Sequence, residues 1–351
     1  MMRKYYLDNL RSFMILLLFP VHTFMIWNNF GSKFYIWNGE SKLLSTLIVL
    51  VNPWFMPILF VIAGMCARYA LEKRSTKEFV KERFLKLLLP FVSGMILLVP
   101  IQTLYARKFF FDYKGGFFEN YKYFFTHLTD FSGYDGGFTP GHLWFILFLF
   151  LISLFSLIFH KLLPYDKFKD KISKMSVWFV LGLFLPVWLF YYIGNIGGFS
   201  LGKNLALYLI GFYIISNDSI MDELEKNVKW IVGIWSVLEI ALVLAYYQWS
   251  YYGDLAVNLV GWFGVLVWLV LGKRFWNRET KMTRYFAKAS FPVYILHQSI
   301  LVALAYYVGK VWDNMLLQAA VIMFGSLCLT VLCYQVVRYI PGIRNLFGIK
   351  R

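Results

Sequence analysis

The chain is predicted to fold as an all-α, polytopic integral membrane helical bundle of about ten transmembrane helices, with both termini on the cytoplasmic side. Three observations predict this. Of 351 residues, 60% are hydrophobic and only 15% charged; with a mean hydropathy of +0.59, too little polar surface remains to cover a water-soluble domain of this length. Apolar runs near 20 residues recur between short charged loops, which is the length a helix needs to cross ~30 Å of hydrocarbon. Lysine and arginine are unevenly placed: alternate loops and both termini carry 26 of the 35, the intervening loops carry eight, and Arg11 lies within the first run. The positive-inside tendency turns that bias into an orientation. The formal charge of +16 suits an anionic inner leaflet and needs no nucleic-acid partner.

The ten runs fall at residues 9–27, 43–69, 85–105, 142–163, 175–193, 201–216, 230–249, 255–271, 290–308 and 315–339. The first is too long for a signal peptide, contains Arg11 and lacks a small-residue cleavage site, so it stays as helix 1. Asp8 stands three residues before Arg11, close enough to pair with it on a helix. Eleven residues separate Arg11 from His22, which returns the helix to within roughly 20° of its starting angle and about 16 Å further along its axis. A cation near the cytoplasmic edge and an imidazole in the outer half therefore share a face. Ionisable groups inside a membrane are costly and by default mark a functional site. The alternative is a snorkelling arginine and a packing histidine.

Helix 2 contains Asn52-Pro53-Trp54-Phe55-Met56-Pro57. Two prolines four apart free backbone carbonyls, either in a break that lines a cavity or in a kink packed against neighbours. Ala63 and Gly64 follow and permit close helix approach. In the next cytoplasmic loop Ser75-Thr76-Lys77-Glu78 predicts a capping box and a helix start. That helix feeds Arg83-Phe84-Leu85-Lys86 toward Pro90, with Arg83 and Lys86 expected on one face and Lys81 and Arg74 nearby. Such cations can hold the phosphates of a nucleotide-bearing donor, or simply anchor the loop at the inner leaflet.

The outer loop over residues 106–141 is crowded with aromatic side chains, and residues 117–131 are expected to lie in the headgroup plane as an interfacial helix or to offer stacking faces to a sugar. It closes on Gly141-His142-Leu143-Trp144-Phe145, putting His142 and Trp144 at the outer entrance of helix 4. Glu239 falls near the middle of helix 7. His297, in Tyr294-Ile295-Leu296-His297-Gln298, falls about two turns into helix 9. Three histidines and an acid in one bundle predict a shared polar cavity, although a single buried His or Glu is also a common structural partner. Cys66, Cys328 and Cys333 all lie in apolar runs and form no disulfide or metal spacing.

Taken together these motifs resemble the acyltransferase-3 family of integral membrane O-acyltransferases. The resemblance is carried by Leu7-Asp8-x-Leu10-Arg11 with His22 eleven residues on, Leu59-Phe60-Val61-Ile62-Ala63-Gly64-Met65, Arg83-x-x-Lys86 before Pro90, Gly-His-Leu-Trp-Phe, and Tyr-Ile-Leu-His-Gln, in order over almost the whole chain. The Pro-Trp-Phe-Met-Pro and Gly-His-Leu-Trp-Phe passages are most similar to the branch that includes the succinyltransferase of periplasmic glucans. Two positions depart from the family's pattern: its cytoplasmic arginine pair is here Arg83 with Lys86, and Met14 stands where the family often has alanine.

The resemblance implies one membrane acyltransferase domain over residues 1–351, without an appended soluble esterase-like domain. It further implies transfer of an acetyl or succinyl group from cytoplasmic acyl-CoA to a hydroxyl of a glycan or other cell-envelope acceptor. Arg83, Lys86, Lys81 and Arg74 would then hold the CoA phosphates, with Arg11 and Asp8 on the way to His22 as general base. His142, Trp144, Glu239 and His297 would orient the base or bind the acceptor, and no metal is required. A polysaccharide exporter or other multi-pass transporter is the competing class, but the proline-rich stretch of helix 2 has no evident counterpart in the second half of the chain.

Overall fold

A computed structural model describes residues 3–31, 34–129, 131–196, 198–251 and 253–349. Lys33, Lys350 and Arg351 of the charge count, and Asp130 of the outer loop, lie outside them. In chain order the helices are α1 (Tyr5–Phe24), α2 (Lys42–Leu71), α3 (Thr76–Arg83), α4 (Leu89–Leu97), α5 (Val99–Phe110), α6 (Phe117–Thr126), α7 (Trp144–Leu162), α8 (Lys169–Ser173) and α9 (Val177–Gly182). They continue as α10 (Phe184–Leu189), α11 (Leu201–Ile210), α12 (Asp218–Lys226), α13 (Val228–Trp249), α14 (Asp254–Phe275), α15 (Lys281–Val308), α16 (Met315–Val337) and α17 (Ile343–Leu346). One hairpin of two-residue strands, β1 (Asn195–Ile196) and β2 (Phe199–Ser200), pairs Asn195 with Ser200 and Ile196 with Phe199 in antiparallel register. The fold is all-α apart from it.

Eight helical segments among the described residues are long and apolar enough to cross a membrane, so the chain is a multi-pass membrane protein. Their outward faces are apolar, as a lipid solvent requires: on α13 Trp230, Val237, Ile240 and Leu244 are exposed, and on α16 Leu316, Phe324, Leu332 and Val336. Two of the ten expected runs are shorter apolar helices, Val177–Tyr192 and Leu201–Ile215. The first is interrupted at Leu183, ahead of Pro186, and the second ends in a π-helical turn over Gly211–Ile215.

The chain divides into two compact units, and α1, α2, α7 and α15 each contribute to both. The first comprises Met1–Met14, Val49–Phe84 and Phe148–Ala287. Within it α2 and α11 cross at glycines: a Cβ on Gly64 would stand 2.0 Å from the Tyr208 carbonyl oxygen, and one on Gly211 would stand 2.2 Å from the Val61 oxygen. Backbones approach this closely only where side chains are absent. The two prolines of α2 do not interrupt it, for the helix runs unbroken through both. Pro57 has no N–H for the Pro53 carbonyl, and Gly261 of α14 closes over that oxygen instead, its would-be Cβ only 2.3 Å away. The expected alternative of a broken, cavity-lining helix is thereby corrected to a packed one. The start of α1 is held by Asn9, whose Nδ2 donates to the Trp276 and Arg278 carbonyls at 2.6 and 3.0 Å, satisfying backbone groups at and beyond the end of α14.

The second unit comprises Ile15–Ile48, Leu85–Leu147 and Lys288–Arg351. Its apolar core gathers Ile26, Phe34, Ile36, Leu301, Val302 and Ile322. The run expected as helix 3 breaks at Leu98, where Pro100 leaves no N–H for the preceding turn. α6 packs on α5 through Asn120, whose Nδ2 donates to the Pro100 carbonyl at 3.1 Å. The interfacial helix expected over residues 117–131 is shorter than that, ending at Thr126. α15 begins at Lys281, nine residues before the expected start, because Pro292 sits inside the helix rather than in its first turn. His297 is accordingly about four turns into the helix, not two.

Candidate active site

α1 is a single uninterrupted helix through Arg11 and His22, so their eleven-residue separation places them on one helical face. In the first unit Arg11 donates to Asp8 at 2.8 Å, and Asp8 also accepts from Arg3 at 3.0 Å. The predicted pair is therefore present, with a second arginine on the same carboxylate. Arg11, Asp8, Arg83 and Lys4 all lie within electrostatic reach of the Cys66 thiol, and Arg83 also within reach of Tyr208. The two donor-end arginines, Arg11 and Arg83, thus both lie near Cys66 in this unit.

The predicted capping box is formed. Ser75 Oγ accepts from the Glu78 N–H, while the Glu78 carboxylate accepts from the Ser75 N–H at 2.9 Å. Arg83 ends α3 with its guanidinium over the Phe79 ring, 4.5 Å from the centroid, and makes no ion pair among the described residues. Lys86 lies in a π-helical turn over Phe84–Leu88. That turn is wider than 3.6 residues, so the expected common face of Arg83 and Lys86 is corrected: the i,i+3 alignment does not carry through it. Arg74 is ion-paired with Glu82, and Lys81 is exposed.

In the second unit three histidines from three elements meet. The rings of His22 and His297 are 5.3 Å apart and tilted by 28°, and those of His142 and His297 are 5.0 Å apart, edge to face. His142 is 5% exposed and His297 is fully enclosed; His22 is the least buried of the three. His142 is fully committed. Its Nε2 lies 2.9 Å from the Ile295 carbonyl, which can only accept, and its Nδ1 lies 3.2 Å from Gln102 Nε2. It is therefore the neutral Nε2–H tautomer, accepting from the glutamine. The network runs on: Gln102 donates to Ser299 Oγ at 2.9 Å, Ser299 donates to the Leu98 carbonyl at 2.9 Å, and Gln298 donates to Gln102 Oε1 at 3.2 Å. That carbonyl sits at the helix break and also accepts from the Ile101 N–H at 3.1 Å. Tyr294 donates its hydroxyl to the His142 carbonyl, tying α15 to the short turn before α7.

Above His22 the loops supply an aromatic cover. Phe34 stacks on the imidazole with centroids 5.9 Å apart and planes within 9°, and Tyr35 and Tyr134 close around it edge to face. Burial pushes the Tyr35 phenol above its ordinary range, so it stays a neutral hydroxyl at any physiological pH.

The structure thus unites His22, His142 and His297 within the second unit. Trp144 opens α7 half-buried, its ring 6.3 Å from Phe145. Glu239 belongs to the first unit: it is 4% exposed, and its oxygens find no hydrogen bond, the Trp235 indole one turn away falling short of bonding geometry. Within the second unit the three histidines gather with amides and a serine. Gln102, Ser299, Phe34 and Tyr134 were not singled out from sequence. The signal for Gln102 was available, since it is the one amide within the apolar run over residues 95–104; the others are set by long-range packing.

A family model described as an acyltransferase domain matches residues 4–335. The chain is 25% identical over 391 residues to Glucans biosynthesis protein C of Escherichia coli O81 (strain ED1a), covering 99% of this chain and 95% of that protein. It is 25% identical over 388 residues to the protein of the same name in Escherichia coli (strain K12), with the same coverage of both chains. The figure is 24% over 388 residues for the one in Escherichia coli O6:K15:H31 (strain 536 / UPEC), again with the same coverage. No solved structure is a significant match.

Proposed function

This chain belongs to the acyltransferase family whose domain model spans residues 4–335, and from that premise we propose that it moves an acetyl or succinyl group from cytoplasmic acyl-CoA to a glycan hydroxyl beyond the membrane, with His22 as general base. What carries the reading is the condition of His22. Among three clustered imidazoles it is the least buried, and it makes no hydrogen bond with a described residue. A neutral imidazole there takes the proton of an acceptor hydroxyl as its oxygen attacks the thioester carbonyl carbon. The C–S bond breaks, the sulfur leaves as thiolate, and the imidazolium returns the proton to it. His142 cannot serve, because both its nitrogens are engaged. The curated relatives named for glucan biosynthesis support a glycan acceptor.

At the donor end Arg83, with its guanidinium free of carboxylates, and Lys86 bind the CoA phosphates, while Arg11, held by Asp8, lies toward the acyl arm. Purified protein should bind succinyl-CoA or acetyl-CoA with affinity that falls as salt rises, because phosphate contacts to these side chains are electrostatic. The Arg83→Ala/Lys86→Ala double variant should bind about tenfold more weakly or worse with an unchanged melting temperature. Equal binding by both proteins would remove these residues from the donor site.

The reading also sets the topology: ten spans, counting Val177–Tyr192 and Leu201–Ile215, with both termini cytoplasmic. In a background freed of Cys66, Cys328 and Cys333, a membrane-impermeant maleimide applied to intact cells should label Gly116→Cys and spare Lys77→Cys. Gly116 has open space around it and Lys77 is exposed, so neither substitution disturbs packing. The reverse labelling would invert donor and acceptor sides together.

A further inference from the structure

We propose that His297 is a positioning residue: its Nε2 lone pair accepts the Nδ1–H of His22 and so fixes the proton-accepting lone pair of His22 at Nε2. The proposal rests on the reading of His22 as the general base and adds what holds that base ready.

The argument follows the six ring nitrogens. Both of His142 are engaged, at Ile295 and Gln102. His297 Nδ1 meets the Tyr294 carbonyl one turn back. A carbonyl only accepts, so neutral His297 carries its proton at Nδ1 and is bare at Nε2. That Nε2 is enclosed and has no partner. His22 Nδ1 is likewise enclosed without a partner. The two unmatched nitrogens thus belong to adjacent rings, 5.3 Å apart at their centroids. Neutral His22 has two tautomers. With its proton on Nε2, two enclosed lone pairs go unsatisfied and His22 has no basic nitrogen toward the accessible side. With its proton on Nδ1, both enclosed nitrogens are matched and Nε2 is free to take a proton. Buried polar atoms left unpaired cost enough to select between these.

Packing limits other arrangements. Phe34 stacks on one face of His22, and Phe19 stands edge-on to His297 at 5.6 Å. The remaining adjustment is rotation of the His22 ring about Cβ–Cγ, of the kind by which catalytic hydrogen bonds tighten when substrate is bound. When Nε2 takes the acceptor's proton, His22 becomes imidazolium and its Nδ1–H bond to His297 gains charge assistance. A base oriented by a third group is a recurring arrangement in nucleophilic chemistry; here an imidazole fills that place, and no carboxylate of the described residues makes a contact within the cluster. His297 is fully enclosed and so acts through His22 rather than on substrate.

Two substitutions separate positioning from structure. His297→Gln places an amide oxygen near the Nε2 position and keeps the acceptor, whereas His297→Asn keeps a donor for the Tyr294 carbonyl and removes the acceptor. In full-length protein with 15N-labelled histidine, reconstituted in nanodiscs, nitrogen chemical shifts report which atom of each of the five histidines bears the proton. We expect His22 protonated at Nδ1 in the wild type, a tautomer mixture in His297→Asn, and recovery in His297→Gln. With succinyl-CoA and a gluco-oligosaccharide, kcat should fall about 100-fold in His297→Asn and less than about tenfold in His297→Gln, with KM for the donor little changed in either. A merely structural His297 reverses the order of the two variants. His22 protonated at Nε2 in the wild type overturns the proposal whatever the turnover, as does loss of the tautomer preference in Gln298→Leu but not in His297→Asn, since Gln298 Oε1 is another unmatched acceptor. The expected tautomers without any acyl transfer would instead count against His22 as base and leave the pairing intact.

Discussion

Replacement of His22 by alanine should lower acyl transfer by about 100-fold or more, the usual contribution of a positioned base, while donor binding and the melting temperature stay close to wild type. The separation of effects follows from the site's construction. The arginines at the donor end lie on elements of the first unit, Arg11 paired with Asp8 and Arg83 over the Phe79 ring. Apart from the proposed bond to His297 the imidazole makes no hydrogen bond with a described residue, so its loss strands only that one partner. Moving the histidine by one place, as His22→Ala/Thr23→His, gives a sharper form of the test. Thr23 is fully buried, and the step turns the side chain about 100° around the helix, so activity should not return although the imidazole keeps nearly its depth. Initial rates with a defined oligosaccharide acceptor decide the matter: near wild-type turnover in both variants would reduce His22 to a packing residue.

The second large effect is on stability. Gly64→Ala and Gly211→Ala should each destabilise the first unit by about 3 kcal/mol or more, the upper end of what overpacking costs. The new methyl groups would meet backbone oxygens, those of Tyr208 and Val61 at 2.0 and 2.2 Å. A side chain can rotate away from an intruding methyl, but a helix carbonyl cannot, so α2 and α11 would have to separate along their crossing. Because one separation relieves both clashes, the double variant should cost less than the sum of the two. Gly233→Ala on α13, with nothing within 4 Å of the added atom, is the control and should be neutral or slightly stabilising. Thermal unfolding in detergent measures all four, and equal melting temperatures for Gly64→Ala and Gly233→Ala would show that the crossing is looser than described.

What was legible in the sequence was mostly local. The capping box at Ser75 and Glu78, the Asp8 to Arg11 pair and the unbroken first helix each depend on residues within one or two turns, and each is found where spacing placed it. The apolar runs were legible from composition. What sequence could not supply depends on distant partners. Whether two prolines break α2 is decided by Gly261, about two hundred residues away. The loss of the Arg83 and Lys86 alignment comes from one π-helical turn, which has no sequence signature as plain as a cap. The histidine cluster was half legible: His22, His142 and His297 were candidates singly, but the amide and serine network that commits His142 joins residues up to 201 positions apart. Glu239 is legible as an acid within a span, but the unit it belongs to is set by chain topology.

The two short helices carry a consequence for the lipid. At about 1.5 Å per residue, Val177–Tyr192 and Leu201–Ile215 rise only some 24 and 22 Å, several ångströms less than the hydrocarbon slab of ~30 Å. Counted as spans in the proposed topology, such short helices are accommodated by drawing the leaflets together or by reaching outward with flanking side chains. Here the connection between them is a hairpin of two-residue strands, too small to make up the length. Leaflets that dip toward this pair create hydrophobic mismatch, and its cost rises with every added methylene in the surrounding acyl chains. With ten spans, membrane thickness becomes a variable that this enzyme's distribution among lipid domains should follow, through two helices that carry none of its proposed chemistry.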